Sequence, residues 1–337
     1  MAANFSTVPV LDYALVSDSV RRPEFISQLQ HALINVGFLY LKNPPVARKD
    51  VDDLIGFIPH LFALPQEAKD EIRMANSPHF LGWRPGAPDY LRLWGPSQWP
   101  EETALPGFKS TMERYLAQVQ ALGYKFIELL AEAFGLPHDA LSQFYDSDEL
   151  MQHRAKIVKY PVPVDETASD QGVGPHYDAG FLTFLLQASD HPGLQVQNLS
   201  GQWIDAPPIP GTFVVNIGKA LEFVTQGLAR ATSHRVLSPS KGSTPRYSVP
   251  FFQNISLDTR LADHVLAFPQ EVLQLKEQRG RAAATDSVNF TEFDREPSGK
   301  VNLIGRVKSH PDVAAAHYPD LFKQFFPNGL PAQASAY

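Results

Sequence analysis

Gly174-Pro175-His176-Tyr177-Asp178, followed closely by the apolar run Phe181-Leu182-Thr183-Phe184-Leu185-Leu186-Gln187, decides the architecture. A His and an Asp two residues apart share a face only where the chain is extended, because strand side chains alternate. Both side chains can then reach one ion from a single strand. Carrying the same parity forward turns Gly180, Leu182, Phe184 and Leu186 inward as an apolar pocket wall. Comparable strands surround this one, at 155–160, 193–197, 212–217, 232–237 and 247–255, with turns rich in Gly, Pro, Ser and Asp between them. Many short strands at this spacing predict a sandwich or barrel. A jelly roll of the cupin kind is one way to fold such strands into two sheets.

The flanks read differently. Val8-Pro9-Val10-Leu11-Asp12 and Phe38-Leu39-Tyr40-Leu41 read as strands. Between them Pro23 opens a helical pattern with Phe25, Leu29, Leu33 and Ile34 on one face and Gly37 as its stop. Helices are expected at 48–62 and 65–75. The strongest runs from 106 to 134, with Met112, Tyr115, Leu116, Val119, Leu122, Phe126, Ile127, Leu129 and Leu130 at helical spacing before Gly135 and Pro137. Residues 266–279 look helical, 281–300 read as an exposed loop, and 319–326 as a last short helix. The expected class is α+β with a mainly β core. An N-terminal helical region covers 1–150, the β core 151–280, and a C-terminal loop and helix 281–337.

Composition narrows the chemistry. Of 337 residues, 44% are apolar and 19% charged, which permits a sizeable core. The net charge of -7 offers no basic field for nucleic acid. Cysteine is absent, which excludes disulfides, thiolate metal sites and a cysteine nucleophile. No secretory leader or bilayer-length apolar run is visible, so the expectation is a cytoplasmic protein, a monomer or weak homodimer.

A third metal ligand must come from another strand, and His234 opens one at His234-Arg235-Val236-Leu237. His153, His191 and His264 lie in the same region and compete with it on sequence alone. Two His and one carboxylate suit non-haem iron(II) with open positions, although ligand type alone does not separate iron from zinc. Arg246 and Ser248 share a strand face, where the planar guanidinium fork and a hydroxyl can hold a carboxylate of a small oxo-acid. Tyr160 sits where its hydroxyl can assist, or can simply be a core tyrosine. Phe252, by the parity of Ser248, faces inward. Phe184, Leu186, Phe223, Phe252 and Trp83 are the candidate substrate-pocket residues.

These motifs resemble the isopenicillin N synthase-like iron(II)/2-oxoglutarate-dependent dioxygenases, in their microbial and fungal form, over nearly the whole chain. The resemblance is carried by Asn35-Val36-Gly37-Phe38-Leu39-Tyr40, Leu105-Pro106-Gly107-Phe108, Asn216-Ile217-Gly218, Ser233-His234-Arg235-Val236, Arg246-Tyr247-Ser248-Val249-Pro250-Phe251-Phe252 and Ser309-His310-Pro311-Asp312-Val313. It implies a double-stranded β-helix, iron(II) on His176, Asp178 and His234, and the distal carboxylate of 2-oxoglutarate on Arg246 and Ser248. With dioxygen, 2-oxoglutarate is then decarboxylated to succinate while a small molecule is hydroxylated, desaturated or cyclised, as in secondary metabolism or small-molecule catabolism.

Three positions depart from the family pattern. Tyr177 stands between the ligands where smaller residues are common. Lys219 follows Asn216-Ile217-Gly218 where an acidic residue is usual. The segment joining Phe80-Leu81-Gly82-Trp83 to Tyr90-Leu91-Arg92-Leu93-Trp94 is short, which reads as a truncated lid or missing sequence. Rival readings are a 2-oxoglutarate-independent oxidase of the same family, a non-catalytic barrel, and a cupin-like zinc hydrolase, which lacks an obvious general base.

Overall fold

The computed structural model describes residues 4–78, 97–147, 150–163, 171–280 and 296–330. Its strands are β1 (Val10–Asp12), β2 (Phe38–Lys42), β3 (Arg154–Ala155), β4 (Val158–Tyr160), β5 (Gln171–His176), β6 (Leu182–Gln187), β7 (Leu194–Gln197), β8 (Trp203–Asp205), β9 (Thr212–Ile217), β10 (His234–Leu237) and β11 (Arg246–Gln253). Its helices are α1 (Arg22–His31), α2 (Arg48–Ala63), α3 (Gln66–Glu71), α4 (Phe108–Ala133), α5 (Lys219–Val224), α6 (Gln270–Arg279), α7 (Ser298–Ser309), α8 (Pro311–His317) and α9 (Pro319–Phe325).

The strands form two sheets. The larger runs β1-β2-β9-β6-β11-β3, with β4 also paired to β11; the smaller runs β5-β10-β7-β8. Pairing is antiparallel except between β1 and β2. The sequence reading placed residues 1–150 in an N-terminal helical region, with strands at 8–12 and 38–41 within it. The strand at 38–42, β2, pairs with β9 from Phe38↔Asn216 to Lys42↔Thr212, so this segment supplies part of the larger sheet. Gly37 makes the sharp turn into β2 at φ 75°, and a Cβ there would lie 2.1 Å from the Arg230 carbonyl oxygen. Only glycine fits that conformation and that approach.

The larger sheet is covered on both faces, which is why every residue of β9 is buried. On one face Leu39, Phe184, Val215 and Phe251 pack with α4, where Phe126 meets Phe184 edge-to-face at 5.7 Å. On the other face Phe38, Tyr40, Tyr160 and Val214 meet Leu194, Val196 and Val236 of the smaller sheet. Register lines up one row across the sheet: Arg154, Phe252, Thr183, Asn216 and Phe38 are successive neighbours. That row faces the space between the sheets and becomes one wall of the site.

The 106–134 and 48–62 helices form close to their expected bounds. The 155–160 strand is split into β3 and β4. The expected loop at 281–300 ends earlier, because Ser298 already begins α7. Among the described residues no helix is long and apolar enough to cross a membrane.

Candidate active site

His176, Asp178 and His234 offer ligand atoms that all lie within 4.8 Å of one another. His176 ends β5 and His234 begins β10, and the two are paired across the smaller sheet. Their ring centroids are 4.2 Å apart. Asp178 is not on the same strand as His176, contrary to the parity expectation. The strand stops at His176, and Asp178 to Gly180 form a bend that carries the chain from the smaller sheet to the larger. Backbone N–H groups at the start of α5 hold this bend: Lys219 N donates to the Asp178 carbonyl at 2.8 Å and Ala220 N to that of Ala179 at 3.0 Å. Gly218 fits tightly against it, since a Cβ there would lie 2.0 Å from the Gly180 carbonyl oxygen.

Hydrogen bonds fix which atoms face the common point. His176 Nδ1 donates to the Gly174 carbonyl at 2.8 Å, and His234 Nδ1 to the Thr232 carbonyl at 3.2 Å. A carbonyl can only accept, so both protons sit on Nδ1 and both Nε2 lone pairs are free. Each Nε2 lies 3.9 Å from the same oxygen, Asp178 Oδ1. The other carboxylate oxygen, Oδ2, accepts from Thr183 Oγ1 and from Asn216 Nδ2, the latter at 2.8 Å. Burial pushes the Asp178 pKa up, but the histidines and the Asn216 and Thr183 hydrogen bonds outweigh it and hold the group below the usual carboxylate range. Burial, with His176 alongside, lowers His234 to about 4, so its ring is neutral near pH 7. Two imidazole Nε2 atoms and one carboxylate oxygen, gathered at one point, fit a divalent metal and leave part of its coordination sphere open.

These ligands border a cavity of about 550 Å³ between the sheets. Arg246, fully buried, lies at the far end of β11 from Phe252, with its guanidinium 4.8 Å from the Tyr160 ring centroid. Its Nη2 donates to Gln187 Oε1 at 3.0 Å. Its Nε and Nη1 are buried with no partner among the described residues. A buried guanidinium with unused donors is costly unless a ligand anion completes it. The buried Ser248 lines the same wall two residues on. That fork, beside a hydroxyl, suits the distal carboxylate of a small oxo-acid.

His176, Asp178, His234, Arg246, Ser248, Tyr160 and Phe252 therefore share one cavity. Phe184 and Leu186 do not. The bend after His176 resets the alternation, so Thr183 and Leu185 face the cavity while Phe184 and Leu186 face α4 and the helical core. Phe223 is exposed on α5 and does not line the cavity. Trp83 and the short segment around it lie outside the described residues. Among the rival histidines, His153 contacts Tyr124 Oη at 2.9 Å, His191 contacts Thr244 at 2.6 Å and His264 contacts Gln143 at 3.0 Å; none joins the ligand group. Lys219 has a clear local role: its ammonium pairs with Glu222 and sits 4.7 Å from the centre of the Tyr177 ring.

The sequence reading missed Thr183, Asn216 and Gln187, which position the carboxylate and the guanidinium. A single Asn within the apolar strand Thr-Phe-Val-Val-Asn-Ile was the available clue. Replacing Asn216 with Leu is expected to weaken iron binding about 10–100-fold, the usual effect of losing a group that orients a metal ligand. Titration of the metal-free protein with iron(II) under nitrogen measures it, and an unchanged affinity contradicts the role.

The comparisons agree with this geometry. The family model for the 2OG-Fe(II) oxygenase superfamily matches residues 142–255, and one described as non-haem dioxygenase in morphine synthesis N-terminal matches residues 8–88. A 2-oxoglutarate-dependent dioxygenase, frbJ, of Dothideomycetidae sp. is 39% identical, covering 94% of this chain and 94% of its own. A 2-oxoglutarate-dependent dioxygenase of Gibberella zeae is 33% identical over 96% of this chain and 94% of its own. The crystal structure of Neurospora crassa T7H in complex with alpha-KG superposes with a TM-score of 0.69 at 25% identity, covering 88% of this chain and 94% of that one. The chain belongs to the 2OG-Fe(II) oxygenase superfamily and is a 2-oxoglutarate-dependent dioxygenase.

Proposed function

We propose that this dioxygenase hydroxylates a small molecule, with iron(II) on His176, Asp178 and His234 and the distal carboxylate of 2-oxoglutarate on Arg246 and Ser248. The two sheets are, on this reading, the double-stranded β-helix of the family. The observation that carries it is the pairing, in one cavity, of three converging metal-ligand atoms with a buried guanidinium that has two unused donors. When bound, iron(II) and 2-oxoglutarate supply the oxidising power: dioxygen is consumed, 2-oxoglutarate leaves as succinate and carbon dioxide, and a substrate C–H is oxidised.

The chain's own part is positioning. Thr183 and Asn216 keep Oδ2 of Asp178 occupied and turn Oδ1 to the metal point. The Gly174 and Thr232 carbonyls keep both histidines in the ligating tautomer. Gln187 and the Tyr160 ring hold the Arg246 fork in place from two sides. Leu185 and Pro250 are paired neighbours on the wall between the Arg246 end and the metal ligands, and keep that stretch apolar. Excluding water there protects reactive intermediates. Small-molecule substrates accord with the names of relatives: homoarginine-6-hydroxylase of Glycine max is 32% identical over 77% of this chain. A setting in secondary metabolism accords with the fungal relatives.

The test is succinate release from 2-oxoglutarate across a panel of small molecules, with iron(II) and dioxygen supplied. Release that needs both iron and 2-oxoglutarate, and is stimulated by a panel member that gains an oxygen atom, is expected. Substrate oxidation that proceeds equally well without 2-oxoglutarate overturns the proposal.

A further inference from the structure

Two of the three positions that depart from the family pattern meet each other in the fold. The Lys219 ammonium lies over the Tyr177 ring, 4.7 Å from its centre. The negative face of an aromatic ring attracts a cation placed there. The same ammonium pairs with Glu222, one turn further along α5. Each side chain of that pair is only 24% exposed, which spares it much of the screening that weakens a surface ion pair. An acidic residue at 219 would instead stand one turn from Glu222, where like charges repel. Lys219 is therefore matched to Tyr177 before it and to Glu222 after it.

These three residues stand between the segments that deliver the metal ligands. Sheet pairing fixes His176 against His234, but Asp178 lies beyond the end of β5, so register does not set its distance from either. Thr183 and Asn216 aim its carboxylate. Its backbone is placed by α5, where the Lys219 and Ala220 N–H groups hold the Asp178 and Ala179 carbonyls. Further along the same helix, Glu222 Oε1 accepts from the buried Ala231 N–H at 3.0 Å. The next residue, Thr232, supplies the carbonyl that receives the His234 Nδ1 proton, and its own hydroxyl donates to the Val36 carbonyl at 2.7 Å. α5 thus ties the Asp178 bend to the loop that enters β10. A shift at either end moves one ligand atom relative to the other.

We infer that Tyr177, Lys219 and Glu222 are positioning residues of the metal centre, a clamp on α5 that sets the spacing of Asp178 Oδ1 and His234 Nε2. This rests on the metal centre proposed above. The departures at 177 and 219 are then one matched pair, and Glu222 carries its effect to the His234 loop. Loosening the clamp lets the two ligand atoms drift apart and weakens the metal. Arg246, on β11 of the larger sheet, keeps its hold on 2-oxoglutarate.

The test compares Lys219→Met, Lys219→Arg and Glu222→Ala in the full chain. Metal-free protein is titrated with iron(II) under nitrogen, and the KM for 2-oxoglutarate is then measured at saturating iron. Lys219→Met and Glu222→Ala are expected to bind iron(II) about tenfold more weakly, the lower end of the effect of groups that orient metal ligands. Lys219→Arg keeps a cation for both partners and is expected to recover most of the affinity. The KM for 2-oxoglutarate is expected to stay at the wild-type value in all three. Wild-type iron affinity in both Lys219→Met and Glu222→Ala, or no recovery in Lys219→Arg, overturns the inference. A second measurement needs no metal. In urea unfolding of the metal-free protein, the effects of Tyr177→Leu and Lys219→Met are expected to be non-additive, as for residues in contact. Additive effects overturn the pairing and remove Tyr177 from the clamp. Failure of wild-type protein to take up iron(II) counts against the metal centre itself, and the unfolding cycle then judges the clamp.

Discussion

Replacing His176 with Ala is expected to abolish 2-oxoglutarate-dependent turnover and leave the fold intact. The side chain is half-buried, and among the described residues its hydrogen bond runs to Gly174, two residues away. Its loss therefore opens little core. The ligand group is reduced to Asp178 and His234, too few to hold iron(II) against water. A metal's contribution to a reaction is several kcal/mol, and each 1.36 kcal/mol is tenfold, so the rate falls by about a thousandfold or more. A second readout separates ligation from structure. Iron(II) at a hundred times its Kd raises the stability of a protein that binds it by about 2.7 kcal/mol. The wild-type melting temperature is expected to rise with iron, and that of His176→Ala to stay flat from a similar metal-free value. Full activity in this variant, or an undiminished iron-dependent rise, removes His176 from the site and with it the proposed metal centre.

How far the sequence could go is clearest along individual strands. β11 reads correctly by eye, because alternation within one uninterrupted strand is local: Arg246, Ser248, Pro250 and Phe252 face one way, and Val249 and Phe251 the other. The same rule applied from Asp178 to Leu186 fails. Three residues of bend intervene, and a chain that changes sheets does not keep its alternation. Pairing of β2 with β9 is non-local, so no pattern within residues 38–42 announces it. α7 begins with Ser298-Gly299, poor helix formers, and is held by burying Val301, Leu303 and Val307. Cavity lining is hidden for a related reason: arginine is usually solvated, and only the tertiary fold brings Arg154 and Arg306, far apart in sequence, to one cavity.

Replacing Arg246 with Met is expected to raise the KM for 2-oxoglutarate about a hundredfold or more, with a much smaller change in kcat at saturation. Each hydrogen bond to a charged partner is worth about 1.5–3 kcal/mol, and the fork offers two unused donors, Nε and Nη1. Those contacts lie far from the metal point, so they are made in the ground state and the transition state alike, and their loss falls on KM. Stability is expected to move the other way. In the free protein Arg246 is a buried cation with two unmet donors, and an apolar side chain of similar length removes that cost, so the melting temperature of the metal-free variant is expected to hold or rise. Arg246→Lys keeps the charge but not the planar fork, and its KM should fall between the two. The same experiment decides between the two reactions the family resemblance left open. An oxidase that does not consume 2-oxoglutarate would show no dependence on its concentration in either variant, whereas a 2-oxoglutarate-dependent enzyme shows a curve displaced to higher concentration with its plateau largely kept. An unchanged KM in Arg246→Met, in protein that melts normally, places the oxo-acid elsewhere in the cavity.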